Sequence, residues 1–372
     1  MTEVSYVVVF PTIFSKNKIP QLISNIKKIL KVRNQEFSSV KRDGDVILVN
    51  SGDPVFASSA INLLFGVEKV AIARQVKNEF KTIVSEITSI GGNLLLKGEK
   101  FLVTVEGITK GFLPKDVEIA TTSNIIEKKS KLGAHPGTEG NYDKLLYTYL
   151  TKNNAYICIF IDNGQGGIPF TSTKQNAICC VYDELSAVSC FETIKQGYDT
   201  KIIVCYNKKS DLLNIVKTLN HIIPRLVKEK ISIDFFQVKI NLSGTKNYLN
   251  FVGMAIEIML NEAKSKGLDF ISIPMSSLIV SQDSLMLVMK KIFQANKFPI
   301  FPLDGVDKAI FDSAREIGME QRIGKMNKII GSSLGEIPKI SQKDATTALK
   351  TKKTVEVTIG PNNVHDILDS LE

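Results

Sequence analysis

Tryptophan is absent from the 372-residue sequence, and histidine and cysteine are scarce, with three and five residues. The odd number of cysteines, without C-x-x-C spacing, excludes a complete disulfide framework and the paired ligands typical of zinc sites. We predict buried free thiols, since an unpaired cysteine behaves as a small hydrophobic residue. The five are Cys158, Cys179, Cys180, Cys190 and Cys205.

Long apolar runs are also missing. No stretch approaches the roughly 18 residues of a membrane-spanning helix, and the first residues lack the basic region and cleavage site of a signal peptide. We therefore expect a soluble, cytoplasmic protein that does not interact with membranes. The histidines, His135, His221 and His365, are far apart in sequence, so the sequence predicts neither a metal centre nor a Ser-His-Asp arrangement.

Basic residues are in excess. Lysine and arginine total 47 against 38 acidic residues, which gives a net charge of +9. Such a surplus favours polyanionic partners such as nucleic acid. The length and the 44% hydrophobic content are enough for two or three domains with ordinary cores, and they exclude a wholly disordered chain.

The first 75 residues alternate strand and helix patterns. Strands are predicted over 5–10, 45–49 and 68–73, and helices over 19–30 and 57–64. This order suits a small ferredoxin-like α+β unit. The next segment predicts a helix over 76–90 ended by Gly91 and Gly92, a strand over 101–106, a helix over 117–129 with Ile119, Ile125 and Ile126 buried, and a strand over 155–161.

The C-terminal half alternates apolar strands with helices. Strands over 177–181, 201–206, 231–238 and 270–273 are separated by helical segments. Continuous apolar runs are typical of strands buried on both faces, so we predict an open parallel sheet. A lysine-rich stretch, a strand over 355–359 and a short helix complete the chain.

Three stretches carry a family resemblance. Residues 65–70 (FGVEKV), 164–169 (GQGGIP) and the block 298–318, with FPIFPL, GVDK and AREIG, resemble motifs of the tRNA 4-thiouridine sulfurtransferase family in the family's order. The resemblance implies an N-terminal ferredoxin-like domain over residues 1–75 and an RNA-binding THUMP domain over 76–170. It further implies a PP-loop ATP-pyrophosphatase-like domain over 171–325, with a Rossmann-like parallel sheet of the adenine nucleotide alpha hydrolase type. Residues 326–372 form an extension of unknown role.

The sequence departs from this family at the catalytic motifs. The PP-loop SGGxDS, whose glycines let backbone N–H groups surround pyrophosphate, is replaced by VYDELS at residues 181–186. Asp183 and Glu184 place negative charge where a triphosphate would lie. The family's cysteines fall on Tyr248 and Phe251, which cannot hold a persulfide. The TGES-type turn reads IPMS, where proline removes a backbone donor.

Two residues match the family's nucleotide site. The resemblance assigns Ser186, the last residue of the PP-loop, and Gln282, in the SQ dipeptide, to ATP binding if such binding is retained. We predict no cofactor, and ATP with Mg²⁺ only if the site is altered rather than lost. No catalytic residue is predicted.

Basic residues of the THUMP-like segment are candidates for an RNA phosphate track, since phosphate contacts provide most of the sequence-independent affinity. They are Lys97, Lys100, Lys110, Lys115, Lys128, Lys129 and Lys131.

Three functions are compatible with these observations. The first is a tRNA-binding protein without its own adenylation or sulfur transfer, acting with a tRNA-modifying enzyme as partner or regulator. The second is an active tRNA uridine sulfurtransferase with an altered ATP site and an external sulfur carrier. The third is a metabolite-binding α/β protein whose basic surface is incidental.

Overall fold

The computed structural model of the chain describes residues 5–129, 133–240, 245–276, 280–303, 305, 307–319, 322, 328, 337, 342–360 and 364–371. Two compact units meet in the chain at Gly166 and Gly167. The first unit contains a mixed eight-stranded sheet and the second a six-stranded sheet, mostly parallel. The predicted α/β class, with a parallel sheet in the C-terminal half, is confirmed.

The first unit begins with a βαββαβ arrangement. Its elements are β1 (Ser5–Pro11), α1 (Ile19–Val32), β2 (Phe37–Asp43), β3 (Val46–Ser51), α2 (Pro54–Ile61) and β4 (Val67–Lys77). The strand order β2-β3-β1-β4 is that of a ferredoxin-like unit. The sequence pattern did not predict β2, because this edge strand (FSSVKRD) buries only Val40 and has no apolar alternation.

The same sheet continues through the rest of the unit. The remaining elements of the unit are α3 (Phe80–Leu94), β5 (Lys100–Gly107), α4 (Pro114–Lys129), β6 (His135–Pro136), β7 (Lys144–Leu150) and β8 (Asn154–Gly166). Strand β8 pairs antiparallel with β4, and the order continues β4-β8-β7-β5-β6. Helix α4 joins the parallel strands β5 and β7. Strands from both sides of residue 75 share this one sheet. The division into two domains near residue 75 stays a prediction.

Two expectations for this unit were wrong, and one strand was not predicted. Gly91 does not end α3 but lies inside it. The glycine allows close packing there, because a Cβ would approach Leu146 Cδ1 to 2.7 Å and Ile125 Cδ1 to 3.0 Å. Ile125 is buried as predicted, whereas Ile119 and Ile126, on the other side of α4, are 58% and 40% exposed. Strand β7 was missed because it follows a polar, glycine-containing stretch.

Asp43 holds the β2–β3 hairpin against the β7–β8 turn. Its carboxylate accepts hydrogen bonds from Tyr156 Oη at 2.5 Å, Thr151 Oγ1 at 2.9 Å and Asn154 Nδ2 at 3.0 Å. Burial acts to raise the pKa of Asp43, but the three hydrogen bonds outweigh it and the pKa falls below its usual value. The hairpin and the turn, more than 100 residues apart in sequence, are thereby joined.

The second unit alternates strands and helices. Its elements are β9 (Asn176–Val181), α5 (Glu184–Lys195), β10 (Asp199–Tyr206), α6 (Lys209–Ile222), β11 (Lys230–Gln237), α7 (Thr245–Lys266), β12 (Phe270–Ser272), α8 (Gln282–Gln294), β13 (Phe298–Ile300), α9 (Lys308–Glu316), α10 (Gln342–Leu349), β14 (Lys353–Thr358) and α11 (Val364–Asp369). The strand order is β13-β12-β9-β10-β11-β14. Strands β10 and β11 are therefore added on one side of β9, and β12 and β13 on its other side.

The C-terminal strand β14 is the one antiparallel strand of this sheet in the described part of the chain, and it pairs with β11. Asp234 belongs to β11 and is buried, with 1% of its surface exposed. Its carboxylate lies 3.3 Å from Lys201 Nζ and 3.6 Å from Lys352 Nζ, and it also pairs with Lys266. Thr354 Oγ1 of β14 donates to it at 2.7 Å. An ionic network therefore joins β14 to the parallel strands.

All five cysteines are buried free thiols, as predicted. Burial raises the pKa of Cys158 to about 12, with a smaller opposing contribution from Lys69. Within the described residues, no helix has both the length and the apolar character needed to cross a membrane.

Candidate functional site

A cavity of about 350 Å³ lies in the second unit, at the carboxyl ends of β9 and β10. Open α/β sheets bind ligands in the crevice outside the carboxyl ends of their strands. The turn after β9, the start of α6 and the start of α7 contribute its walls. It is therefore the first place to examine for a binding site.

The turn between β9 and α5 closes on its own serine. Asp183 caps α5, and its Oδ1 accepts from the backbone N–H of Ser186 at 2.8 Å. In return, Ser186 Oγ accepts from the backbone N–H groups of Tyr182 and Asp183, each at 2.8 Å. This reciprocal capping follows from the D-x-x-S spacing. The two N–H groups at the mouth of the turn are thus already paired within the chain.

Asp183 is also tied to α7. Tyr248 Oη donates to Asp183 Oδ2. Burial raises the pKa of Asp183 despite this bond and the bonds from Ser186. Burial and the nearby Asp183 carboxylate raise the pKa of Tyr248 well above its usual value. Tyr248 therefore remains a neutral phenol that fixes the turn.

Acidic groups outnumber basic ones among the described residues that line the cavity. Asp183, Glu184 and Asp211 contribute carboxylates, and Arg322 contributes a guanidinium. Arg322 Nη1 lies 3.8 Å from Glu184 Oε1, and Nη2 donates to Asn214 Oδ1 at 2.7 Å. The cavity presents acceptors and aromatic rings, so its chemistry suits a ligand with donors better than an anion.

The two residues predicted to bind a nucleotide lie in different environments. Ser186 is 1% exposed, and its hydroxyl is used within the turn. Gln282 is the exposed first residue of α8, next to the capping Ser281. Neither lines the cavity. Sequence reasoning missed Asn207 and Asp211, although polar residues that follow the second parallel strand were an available signal.

Six of the seven candidate RNA-binding lysines are described, and they fall into two groups in the first unit. Lys97 and Lys100 lie at the start of β5, and Lys128 lies near them because α4 runs antiparallel to β5 and ends there. Lys110 and Lys115 lie at the other end, which the length of α4 places about 20 Å away. Lys129 ends α4 near the first group, and Lys131 lies outside the described residues.

Neighbouring polar groups partly engage these lysines. Lys100 Nζ donates to Asn141 Oδ1 at 3.0 Å, and Lys115 Nζ pairs with Glu118 Oε2 at 3.0 Å while remaining 75% exposed. Lys110 Nζ makes a longer contact of 3.4 Å with Asn153 Oδ1. Lys97 and Lys128 are exposed. These ammonium groups can reach a phosphate because surface pairs of this kind are weak and exchange readily.

Two of the family-like motifs meet at one point of the first sheet. The backbone N–H of Gly66 donates to Gly166 O at 2.6 Å. A Cβ at Gly164 would lie 2.3 Å from Val67 O, so only glycine fits there. Gly166 has a left-handed φ of +66°. These glycines serve backbone geometry.

Sequence comparison finds tRNA sulfurtransferases, while no protein-family model matches the chain. The chain is 24% identical over 188 residues to a probable tRNA sulfurtransferase of Methanosarcina acetivorans, and 23% identical over 178 residues to that of Methanosarcina mazei. These segments cover 50% and 47% of the chain. They cover 45% and 44% of the relatives, so the chain spans less than half the length of each.

Two solved structures share the architecture. A crystal structure of a Pyrococcus horikoshii protein superposes with a TM-score of 0.62 at 16% identity, covering 86% of this chain and 99% of that one. A 4-thiouridine synthetase, crystallised with RNA and bound ATP, superposes with a TM-score of 0.65 at 14% identity, covering 95% of this chain and 100% of that one. The resemblance to the tRNA 4-thiouridine sulfurtransferase family predicted from the motifs is therefore confirmed, and the chain has the fold of a 4-thiouridine synthetase.

Proposed function

We propose that the chain is a tRNA-binding protein of tRNA modification that neither adenylates its substrate nor transfers sulfur. The sulfurtransferase relatives and the RNA bound by the structural neighbour support the RNA part of this proposal. In this function the first unit binds tRNA. The second unit acts as a scaffold towards a tRNA-modifying enzyme or a sulfur carrier.

The observation that carries the proposal is the occupied turn after β9. A pyrophosphate cradle needs backbone N–H groups that point at the ligand. The N–H groups of Tyr182 and Asp183 donate to Ser186 Oγ instead. A triphosphate at this turn would also face the carboxylates of Asp183 and Glu184, and each close pair of like charges costs about 1 kcal/mol even in bulk water.

The cysteines support the absence of sulfur transfer. A persulfide carrier must be a reachable thiolate. At the two places where the resemblance implies cysteines, Tyr248 is bonded to Asp183 and Phe251 is 4% exposed against Tyr182. The five cysteines of the chain lie in the cores of the two units, at 3% exposure or less. An active enzyme would therefore need a sulfur carrier from outside.

The lysine group at the end of α4 gives the first test. Replacing Lys128, Lys129 and Lys131 together by alanine should weaken tRNA binding and reduce the slope of log affinity against log salt by about 2–3, since each lost phosphate contact removes about 0.7–0.9 from it. The slope is measured by filter binding or fluorescence anisotropy at salt concentrations from roughly 50 to 300 mM, the range in which such contacts are screened.

A variant with the same charge change serves as the control. Lys209, Lys217 and Lys264 are exposed in the second unit, and their replacement by alanine should leave the slope nearly unchanged. Equal slopes for the wild-type chain and the α4 variant would remove this group from the RNA site. Equal losses in both variants would show that total charge, not a site, governs binding.

A further inference from the structure

We infer that the cavity at the carboxyl ends of β9 and β10 binds a nucleoside without phosphate groups. This inference deepens the proposed function. It rests on the proposed function in one respect, namely that the turn after β9 does not accept a triphosphate. The cavity has aromatic and polar walls, whereas the backbone N–H groups of the turn beside it are already paired with Ser186.

The charges of the described lining residues disfavour a polyanion. Three carboxylates line the cavity with one guanidinium, and that guanidinium lies 3.8 Å from Glu184 and donates to Asn214. Among the described lining residues, a phosphate placed here would meet three carboxylates and one guanidinium that is already engaged. A neutral or positively charged ligand meets no such repulsion.

Aromatic side chains provide a surface for a flat ring. Tyr182, Tyr206 and Tyr248 line the cavity, and Tyr182 packs edge-on against Phe251 with ring centroids 5.6 Å apart. That contact fixes the Tyr182 ring. Every nucleobase has a π-face that stacks on such rings. The volume of about 350 Å³ lies within the range of roughly 300–1,000 Å³ for small-molecule sites.

Asp211 is the carboxylate that we assign to the ribose. It lies in the first turn of α6, five residues after β10, and it lines the cavity. Its Oδ2 accepts from the backbone N–H of Lys208 at 2.9 Å, and its Oδ1 has a long contact of 3.5 Å with Ser210 Oγ. A carboxylate accepts several hydrogen bonds, so Oδ1 retains capacity for a hydroxyl donor.

Amide groups are available for the edge of a base. Asn207, directly after β10, and Asn214, one turn after Asp211 on α6, both line the cavity. Their Oδ1 atoms already accept, from Ile240 N–H at 3.3 Å and from Arg322 Nη2 at 2.7 Å, so the amides would meet a base mainly as Nδ2 donors to its acceptor atoms. The cavity therefore combines a stacking surface, an amide pair and a ribose acceptor, without a phosphate site.

The test is calorimetry of the 372-residue chain with adenosine, guanosine, cytidine and uridine, and with Mg-ATP. At least one nucleoside should bind saturably, and ATP should bind at least 10-fold more weakly than adenosine. Asp211→Asn should weaken nucleoside binding at least 10-fold, since the amide lacks the charge but keeps an acceptor for Lys208 N–H. The control Asp199→Asn, at the opposite end of β10, should leave the nucleoside affinity unchanged.

The possible failures are distinct. If none of the four nucleosides saturates at millimolar concentration, the inference is wrong and the proposed function stands. If ATP binds more tightly than adenosine, both are wrong. Full nucleoside affinity in Asp211→Asn, with the far-ultraviolet circular dichroism of the wild-type chain, would overturn the assignment of the ribose acceptor.

Discussion

Replacing Asp234 by alanine should lower the free energy of unfolding of the second unit by about 3–5 kcal/mol, as is typical when one partner of a buried ionic network is removed. The carboxylate is 1% exposed, and Lys201, Lys266 and Lys352 surround it. Alanine would leave these ammonium groups close together, and in the described part of the chain Glu262 is the counter-charge that remains for two of them, Lys266 and Lys352. Amide hydrogen exchange followed by mass spectrometry measures the loss in β10, β11 and β14.

The pH dependence has a defined sign. Burial acts to raise the pKa of Asp234, but the hydrogen bonds from Lys266 and Thr354 and the charges of Lys201 and Lys266 outweigh it and lower the pKa to about 2. Because the folded pKa lies below the usual 3.8, the stabilisation is complete above about pH 4 and is lost as the pH falls towards 2. The alanine variant should lack this acid-dependent loss.

An exposed pair in the same unit is the control. Asp269 lies 3.4 Å from Lys297 but is 66% exposed, so Asp269→Ala should cost at most about 1 kcal/mol. Equal losses for Asp234→Ala and Asp269→Ala would contradict the role of the network in holding β14.

Replacing Asp183 by alanine should destabilise the same unit by about 2–4 kcal/mol. The change removes the cap of α5, worth about 1 kcal/mol, and leaves the Tyr248 hydroxyl without its acceptor, which costs about 1–3 kcal/mol. Chemical denaturation followed by circular dichroism measures the loss.

Two further variants separate these contributions. Asp307 caps α9 from an exposed position through Ala309 and Ile310, so Asp307→Ala should cost about 1 kcal/mol, as a cap alone does. In the Asp183→Ala and Tyr248→Phe double variant, losing both partners should cost less than the sum of the single changes. Strict additivity would show that the Asp183–Tyr248 bond does not stabilise the turn.

The sequence predicted the elements whose environment is uniform. Strands β9, β10 and β11 are buried on both faces, so their apolar runs were sufficient. Strand β2 was missed because an edge strand with one buried residue has no period-2 signal. The place of Gly91 depended on how closely Leu146 and Ile125 approach it, which no local pattern contains.

Long-range contacts limited the prediction of the site. The lysine-rich stretch was given no role, whereas Lys352 contacts Asp234 across 118 positions of the chain. Ser186 was assigned to ATP by resemblance, and that assignment remains a prediction, but its hydroxyl is directed by the neighbouring Asp183 to the turn itself. The cavity residues Asn207 and Asp211 come together with Tyr182 only when β9 and β10 pair.

The alternative, an active sulfurtransferase, requires the turn between β9 and α5 to open for ATP. ATP would have to displace Ser186 Oγ from the N–H groups of Tyr182 and Asp183, and an external carrier would have to supply sulfur. Restoring the family's glycines at this turn should recover nucleotide affinity without sulfur transfer, because Tyr248 and Phe251 still stand in place of cysteines.

The most direct test is a side-by-side titration of the 372-residue chain with tRNA and with Mg-ATP at one salt concentration. The proposed function predicts saturable tRNA binding that weakens as salt rises, and no ATP binding at millimolar nucleotide. Saturable ATP binding by the unmodified chain, lost on Gln282→Ala, would contradict it and favour the sulfurtransferase with an altered ATP site.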